Sequence, residues 1–176
     1  MELIKGEKIS LKKISYDDTE DIIRWRNKDF VRSNFVFQSI FTKEIHENWM
    51  KTKVDTGEVV QFIIFDNSTD KAIGSVYLRD IDYNNEKAEF GIFIGEEEAL
   101  GKGFGQEAGK LAVEYAFNTL NLHKVFLRVF AHNLRAIKSY QKAGFVQEGC
   151  FKDDVKIEGK YYDMVFMAIV NKKDEK

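Results

Sequence analysis

The chain has 176 residues, with 27 Lys plus Arg against 29 Asp plus Glu and a net charge of −2. That length suits one domain, 1–176, and the near-neutral balance excludes the broadly basic face of a nucleic-acid binder. One cysteine and no proline exclude a disulfide framework and Pro-rich linkers, and no apolar run reaches the roughly 20 residues of a membrane helix.

The N-terminus lacks the apolar segment of a signal peptide, so the expectation is a cytoplasmic protein. Ile9 and Leu11 alternate with Lys8 and Lys12, which predicts a half-buried strand over about 7–14. Ser15 followed by Asp18 resembles a capping box, and a helix runs from there to about 28. Thr42, Ile45, Trp49 and Met50 give a second helix that closes before Gly57. Val59–Asp66, Ala72–Asp80 and Lys87–Ile94 read as strands joined by turn-rich links, hence antiparallel. After Gly105 the period becomes helical, predicting a helix over about 105–120. A strand at Lys124–Ala131 follows. Asn133 then caps a helix over about 134–143, which Gly144 terminates. Phe145–Phe151 and Tyr161–Val170 are the last strands. The fold class is α/β or α+β, a mixed, mostly antiparallel sheet of about seven strands. Four main helices accompany it, with one strand–helix–strand crossover in the middle.

Six of the 12 glycines fall between Gly91 and Gly109. Gly101, Gly103 and Gly105 stand at alternate positions where a strand passes into a helix. Their N–H groups and the helix N-terminus make an anion site suited to phosphate. A Walker A loop is excluded, because Lys102 is followed by Gly103 and not by Ser or Thr. Gly103–Ala108 fits a dinucleotide fingerprint, but six residues separate the strand from even the first glycine of the loop, Gly101. The next strand ends Ala131-His132-Asn133 without a ribose-binding acid. A third option for the phosphate ligand is coenzyme A.

At this point the sequence resembles the GNAT acetyltransferases. Their pyrophosphate loop, Gln/Arg-x-x-Gly-x-Gly/Ala, is similar to Leu100-Gly101-Lys102-Gly103-Phe104-Gly105, with Leu100 in the place of Gln or Arg. Asn133-Leu134-Arg135-Ala136 through Tyr140 and Gly144-Phe145 looks like the family's Asn-x-x-Ala-x-x-x-Tyr-x-x-x-Gly-Phe. Asn133, Ala136 and Tyr140 lie within two helical turns and share one face. Ala88-Glu89-Phe90-Gly91, Glu148-Gly149 and Gly159-Lys160-Tyr161 are similar to the RimJ/RimL-type subgroup, and within it to bacterial spermidine N-acetyltransferases.

The resemblance implies acetyl transfer from acetyl-CoA to a primary amine, with no metal. It implies a splayed strand pair that binds CoA and a cofactor set of Ile92, Phe93, Ile94, Gly101, Lys102, Gly103, Phe104, Gly105, Gln106, Asn133 and Ala136. Backbone N–H groups around Ile92–Ile94 would receive the developing oxyanion and pair with the pantetheine arm, and Gly91 and Gly95 would permit the bend. Tyr140 is implied as the general acid that protonates the leaving thiolate. Glu89 is nominated as base on its own pattern: a carboxylate in an apolar strand, where desolvation would raise its pKa. Glu96-Glu97-Glu98 reads as a solvated loop that could draw a cationic acceptor. Trp25, Arg26 and Asn27 are candidate acceptor residues, since similar triplets occur in relatives that acetylate amino sugars on nucleotides. The acceptor stays open among a polyamine, an amino sugar and a protein N-terminus. Spermidine acetyltransferases carry acids after the first helix; here Phe30–Gln38 contains none. A homo-oligomer is compatible with the resemblance. The alternative in another class is a non-catalytic acyl-CoA-binding module. Cys150 lacks the neighbours of a catalytic thiol, and the three histidines have no metal spacing.

Overall fold

The structure, a computed structural model, describes residues 3–172. Eight strands form one sheet in the order β1-β2-β3-β4-β5-β6-β8-β7. They are β1 (Leu3–Lys5), β2 (Ile9–Lys13), β3 (Val60–Asp66), β4 (Lys71–Asp82), β5 (Lys87–Ile94), β6 (Lys124–Phe130), β7 (Val146–Ile157) and β8 (Lys160–Val170). Every neighbouring pair is antiparallel except β5 and β6. The crossover between those two is α4 (Phe104–Asn118). On one face lie α1 (Thr19–Arg26), α2 (Asp29–Arg32) and α3 (Lys43–Trp49); α4 and α5 (Leu134–Lys142) cover the other.

Strand alternation sorts the core into two layers. Leu11, Phe62, Ile64, Val76, Leu78, Ala88 and Phe90 pack on α4, where Ala108, Ala112 and Ala116 let helix and sheet approach closely. Ile63 and Phe93 point the other way and meet Ile22, Trp25, Val31 and Met50. Burying a side chain such as Trp25, fully covered, is worth roughly 2–3 kcal/mol.

Four boundaries differ from the sequence reading. Leu3–Lys5 adds an eighth strand, antiparallel to β2. The first predicted helix breaks at Asn27, because Asn27 turns to clamp Phe41 and the chain restarts as the four-residue α2. The second continues past Trp49 as a π turn, Met50–Val54. β7 runs on to Ile157 through the charged stretch after Phe151, where the predicted strand ends. Asp163 makes this possible, accepting from the Lys152 Nζ and the Asp153 N–H, each at 2.9 Å. Glu158 and Gly159, at φ 49° and 82°, close the β7–β8 hairpin with a two-residue turn. Among the described residues, no helix is long and apolar enough to cross a membrane.

Candidate active site

β5 and β6 pair only at Lys87–Lys124, Ala88–Val125 and Glu89–Phe126. Beyond that point the strands part, and the sheet forks. The Gly95 N–H bonds the Ile73 carbonyl at 2.8 Å, which fixes the antiparallel phase between β4 and β5. Residues 91, 93 and 95 therefore spend their backbone groups on β4, while those of Ile92 and Ile94 aim into the fork. So two of the three predicted pantetheine contacts face the opening. Phe93 does not: its backbone is committed to Ser75, and its side chain is buried against Trp25 and Phe35.

The glycine loop stands behind the open edge. Gly101 and Gly103 hold φ of 77° and 85°, a region that strains any L side chain. Gly103 is the N-cap of α4, and Glu107 makes the first intrahelical bond to its carbonyl at 3.1 Å. The N–H groups of Phe104, Gly105 and Gln106 precede that bond and are left for an anion. A Cβ on Gly105 would lie 3.8–3.9 Å from the side chains of Ile94 and Ile92, so helix start and open strand adjoin. The loop thus fits a pyrophosphate. Lys102 is exposed beside it. The Phe104 ring is buried in the core, so only its backbone serves the loop. Gln106 donates its side-chain amide to the Lys142 carbonyl at 3.3 Å, tying α4 to α5 rather than reaching outward.

A cation that the sequence reading missed also stands here. The Lys8 Nζ lies 3.9 Å from where a Gly103 Cβ would be. Glu107 accepts from the Lys8 N–H at 3.1 and 3.2 Å and so holds the β1–β2 turn against the helix. Nothing in the local sequence around Lys8 marks it; a contact 95 residues away does.

Tyr140 projects from α5 under the fork. Its ring meets Phe90 and Phe145 edge-on, each at 6.0 Å between centroids. Burial pushes its phenol well above the ordinary 10.0, and Tyr77 adds to the rise. Tyr77 is the second residue that the sequence did not reveal. It approaches from the opposite face and crosses directly over Gly91, leaving no room for a Cβ there. Gly95 is bare for the same reason, the ring of Trp25 lying on it. These two glycines admit aromatic rings rather than a bend. Asn133 caps α5 by accepting the Ala136 N–H at 3.2 Å, and its amide donates to Asn34 at 2.8 Å. Both groups expected to contact the cofactor are thus engaged in the cap, with Ala136 half-buried on the core.

Glu89 is not the isolated carboxylate that the sequence suggested. It is 6% exposed, yet Arg79 reaches it at 3.0 and 3.2 Å, and Arg128 at 3.1 and 3.4 Å. Its oxygens accept from two guanidiniums on the flanking strands at the last paired position before the fork. The apolar surroundings that nominated it as a base are absent, and its lone pairs are taken. It clamps the three strands together.

The acceptor triplet also divides. Trp25 is fully buried, its Nε1 donating to Glu96 at 2.7 Å. Asn27 donates to the Phe41 carbonyl at 2.8 Å and accepts from its N–H at 2.7 Å. Both are structural. Arg26 is buried over the rings of Phe35 and Phe41, and its Nη1 has no hydrogen-bond partner among the described residues. Glu96 is drawn in by Arg24, Trp25 and Lys28, so it is an anchor and not a solvated loop residue. Glu97 and Glu98 do line a shallow cleft, with Lys28, Asp29 and Phe30. Cys150 is exposed on β7, the outer strand, and His46 is buried against the Thr19 hydroxyl at 3.1 Å.

A forked sheet, an anion cradle at its open edge and a half-buried tyrosine packed on Phe90 are the parts of an acyl-CoA-dependent transferase. Comparison with known proteins agrees. Residues 8–146 match the family model for the acetyltransferase (GNAT) domain, and the chain belongs to that family. Over 136 residues it is 35% identical to the spermidine N(1)-acetyltransferase of Vibrio cholerae, spanning 77% of this chain and 72% of that one. The Bacillus subtilis protein YjcK, named a probable N-acetyltransferase, is 30% identical over 180 residues, with 98% and 99% coverage. The structure of spermidine N-acetyltransferase from Vibrio cholerae in complex with CoA and spermine matches at a TM-score of 0.87 and 29% identity, covering 96% of this chain and 98% of that one. The protein is an acetyl-CoA-dependent N-acetyltransferase acting on an amine.

Proposed function

We propose that the chain acetylates the primary amine of a small molecule by direct attack within the fork, with Tyr140 as general acid. What supports this reading is that the open backbone of Ile92 and Ile94 adjoins the glycine cradle, and that the Tyr140 ring packs on Phe90 of the same strand. Acetyl-CoA supplies an activated thioester there. The N–H groups of Phe104, Gly105 and Gln106 hold phosphate, and Lys8 and Lys102 bring the charge that Leu100 lacks. Backbone groups of Ile92 and Ile94 align the pantetheine arm and the carbonyl oxygen. As the amine nitrogen, entering as the free base, bonds to the carbonyl carbon and the carbon–sulfur bond breaks, Tyr140 Oη gives its proton to sulfur, and the proton that the nitrogen sheds returns to the phenolate through solvent. A phenol whose pKa is raised stays protonated across the physiological range, as a proton donor must. Glu89 acts as a positioning residue that keeps the fork open at a fixed point.

Relatives that act on spermidine support a polyamine among the possible acceptors. Assembly into a homo-oligomer belongs to the same reading, since a spermidine N-acetyltransferase of Vibrio cholerae is dodecameric. Free-thiol release from acetyl-CoA with a panel of amines tests the activity. Tyr140→Phe should lower kcat by about 10²–10⁴ while acetyl-CoA affinity, read by titration calorimetry, stays within twofold. Unchanged turnover in that variant would remove the acid assignment.

A further inference from the structure

β5 runs from the closed end of the fork at Glu89 to the glycine loop, and this gives the cosubstrate a direction. The helix start at Gly105 adjoins Ile94 and Ile92, so phosphate belongs at the open end. An arm leaving the cradle passes Ile94 and then Ile92, at roughly 3.3 Å of strand per residue. Its tip, which carries the thioester, is therefore directed to Gly91, just short of the Glu89 cluster.

Three walls meet at that point. Glu89 with Arg79 and Arg128 closes the end. On the side of α4 and α5 lies the buried Phe90 ring, packed on Tyr140 and Phe145. Tyr77 forms the opposite wall. It stands directly across from Gly91 in the β4–β5 ladder, and opposite residues of an antiparallel pair put their side chains on one face. Its ring meets Trp49 of α3 edge-on at 6.4 Å between centroids. From there it reaches over Gly91, and its Cζ, Cε2 and Oη atoms all crowd the place where a Cβ of residue 91 would stand. Because β5 and β6 part beyond Glu89, a ring that crosses Gly91 arrives at the edge of the fork. Tyr77 is only half-buried, which leaves it a free side.

We infer that the Tyr77 ring limits the length of the acyl group and so confines the donor to acetyl-CoA. The inference rests on the placement of the thioester in the fork proposed above, and it names the residue that bounds its acyl end. Each methylene beyond acetyl must enter space held by one of the three walls. Phe90 is fixed between Gly109 of α4 and the rings of Tyr140 and Phe145. The Glu89 cluster is charged and hydrogen-bonded, so a hydrocarbon chain that parted it would strip those groups of their partners. Tyr77 is left as the wall that sets the limit. Packed side chains resist added volume, which makes such a limit sharp. Gly91 belongs to the same device, since any side chain there would push the ring off the fork.

The test compares acetyl-, propionyl- and butyryl-CoA on the full chain. Calorimetric binding without any amine is one readout, and kcat/KM from thiol release with the best amine of the panel is the other. In the wild-type protein kcat/KM should fall about tenfold from acetyl to propionyl and about tenfold again to butyryl, with affinity falling in the same order. Tyr77→Leu empties the place over Gly91 and should bring butyryl-CoA to within about threefold of acetyl-CoA in both readouts. Tyr77→Phe keeps the ring and should keep the wild-type order. Affinity for free CoA, which has no acyl group, should stay within about twofold in every variant, a result that general loosening of the site would not give. If Tyr77→Leu fails to fold, Tyr77→Met makes the same comparison with a longer, flexible chain. Equal affinity for butyryl- and acetyl-CoA in the wild-type protein, or an order that Tyr77→Leu leaves unchanged, would overturn the inference while thiol release from acetyl-CoA stands. Ordered binding that Tyr77→Leu levels, without thiol release to any amine, would uphold Tyr77 and remove the transfer reading.

Discussion

Gly103 holds φ at 85° with open space around its missing Cβ, apart from the distant Lys8 amine. The reason for glycine there is conformational and not a clash within the protein. Placing Ala in that region costs about 1–2 kcal/mol. Either the strain remains in the folded state or the loop relaxes and misdirects its N–H groups. Gly103→Ala should weaken acetyl-CoA binding about tenfold and lower the melting temperature by a few degrees, measured by calorimetry and thermal unfolding. The glycine loop and Tyr140 were legible in the sequence, because each depends on neighbours within one turn or one helix. Glu89, Arg26 and Tyr77 were not. Whether a charge is paired depends on strands that meet it across the sheet: Arg79 lies ten residues away from Glu89 and Arg128 thirty-nine. An apolar local window made Glu89 look isolated, and nothing local to Arg26 shows that Phe35 and Phe41 cover it.

At the scale of elements, the Glu96 carboxylate decides how α1 docks. Burial alone would raise its pKa, but hydrogen bonds from Lys28, Trp25 and Arg24 outweigh that and hold it at about 2. A depressed carboxylate pKa contributes stability that is present above the unfolded value, near 4.5, and is lost as pH falls through the folded one. The wild-type protein should therefore lose roughly 2–3 kcal/mol between about pH 4.5 and pH 2 from this site. Glu96→Gln should lower stability at pH 7 and flatten that part of the profile; urea unfolding at pH 7 and pH 3 reads both. Most helices and strands were recoverable from periodicity to within a few residues, but β1, α2 and the outer half of β7 were not. The phase of the ladder between β4 and β5 was not, since it is set by pairing and not by side-chain pattern. That phase is why Ile92 and Ile94 serve the fork and Phe93 does not.

The whole molecule is an eight-stranded sheet with an internal seam left unjoined. Most of its sheet comes from neighbouring hairpins, which local turn signals forecast. The long β7–β8 arm needed Asp163 to gather Lys152 and Asp153, a contact that only the folded chain supplies. The seam has a consequence for how the protein responds to its cosubstrate. Amides of Ile92 and Ile94 lie mid-sheet yet are open to exchange, whereas their neighbours Gly91 and Phe93 are locked on β4. Hydrogen–deuterium exchange should show this as an alternating pattern along a single strand, fast at 92 and 94 and slow at 91 and 93. Saturating acetyl-CoA should slow the fast pair. At a hundredfold excess over Kd it should also raise the melting temperature by roughly 5–10 °C, the thermal signature of a ligand that completes a secondary structure.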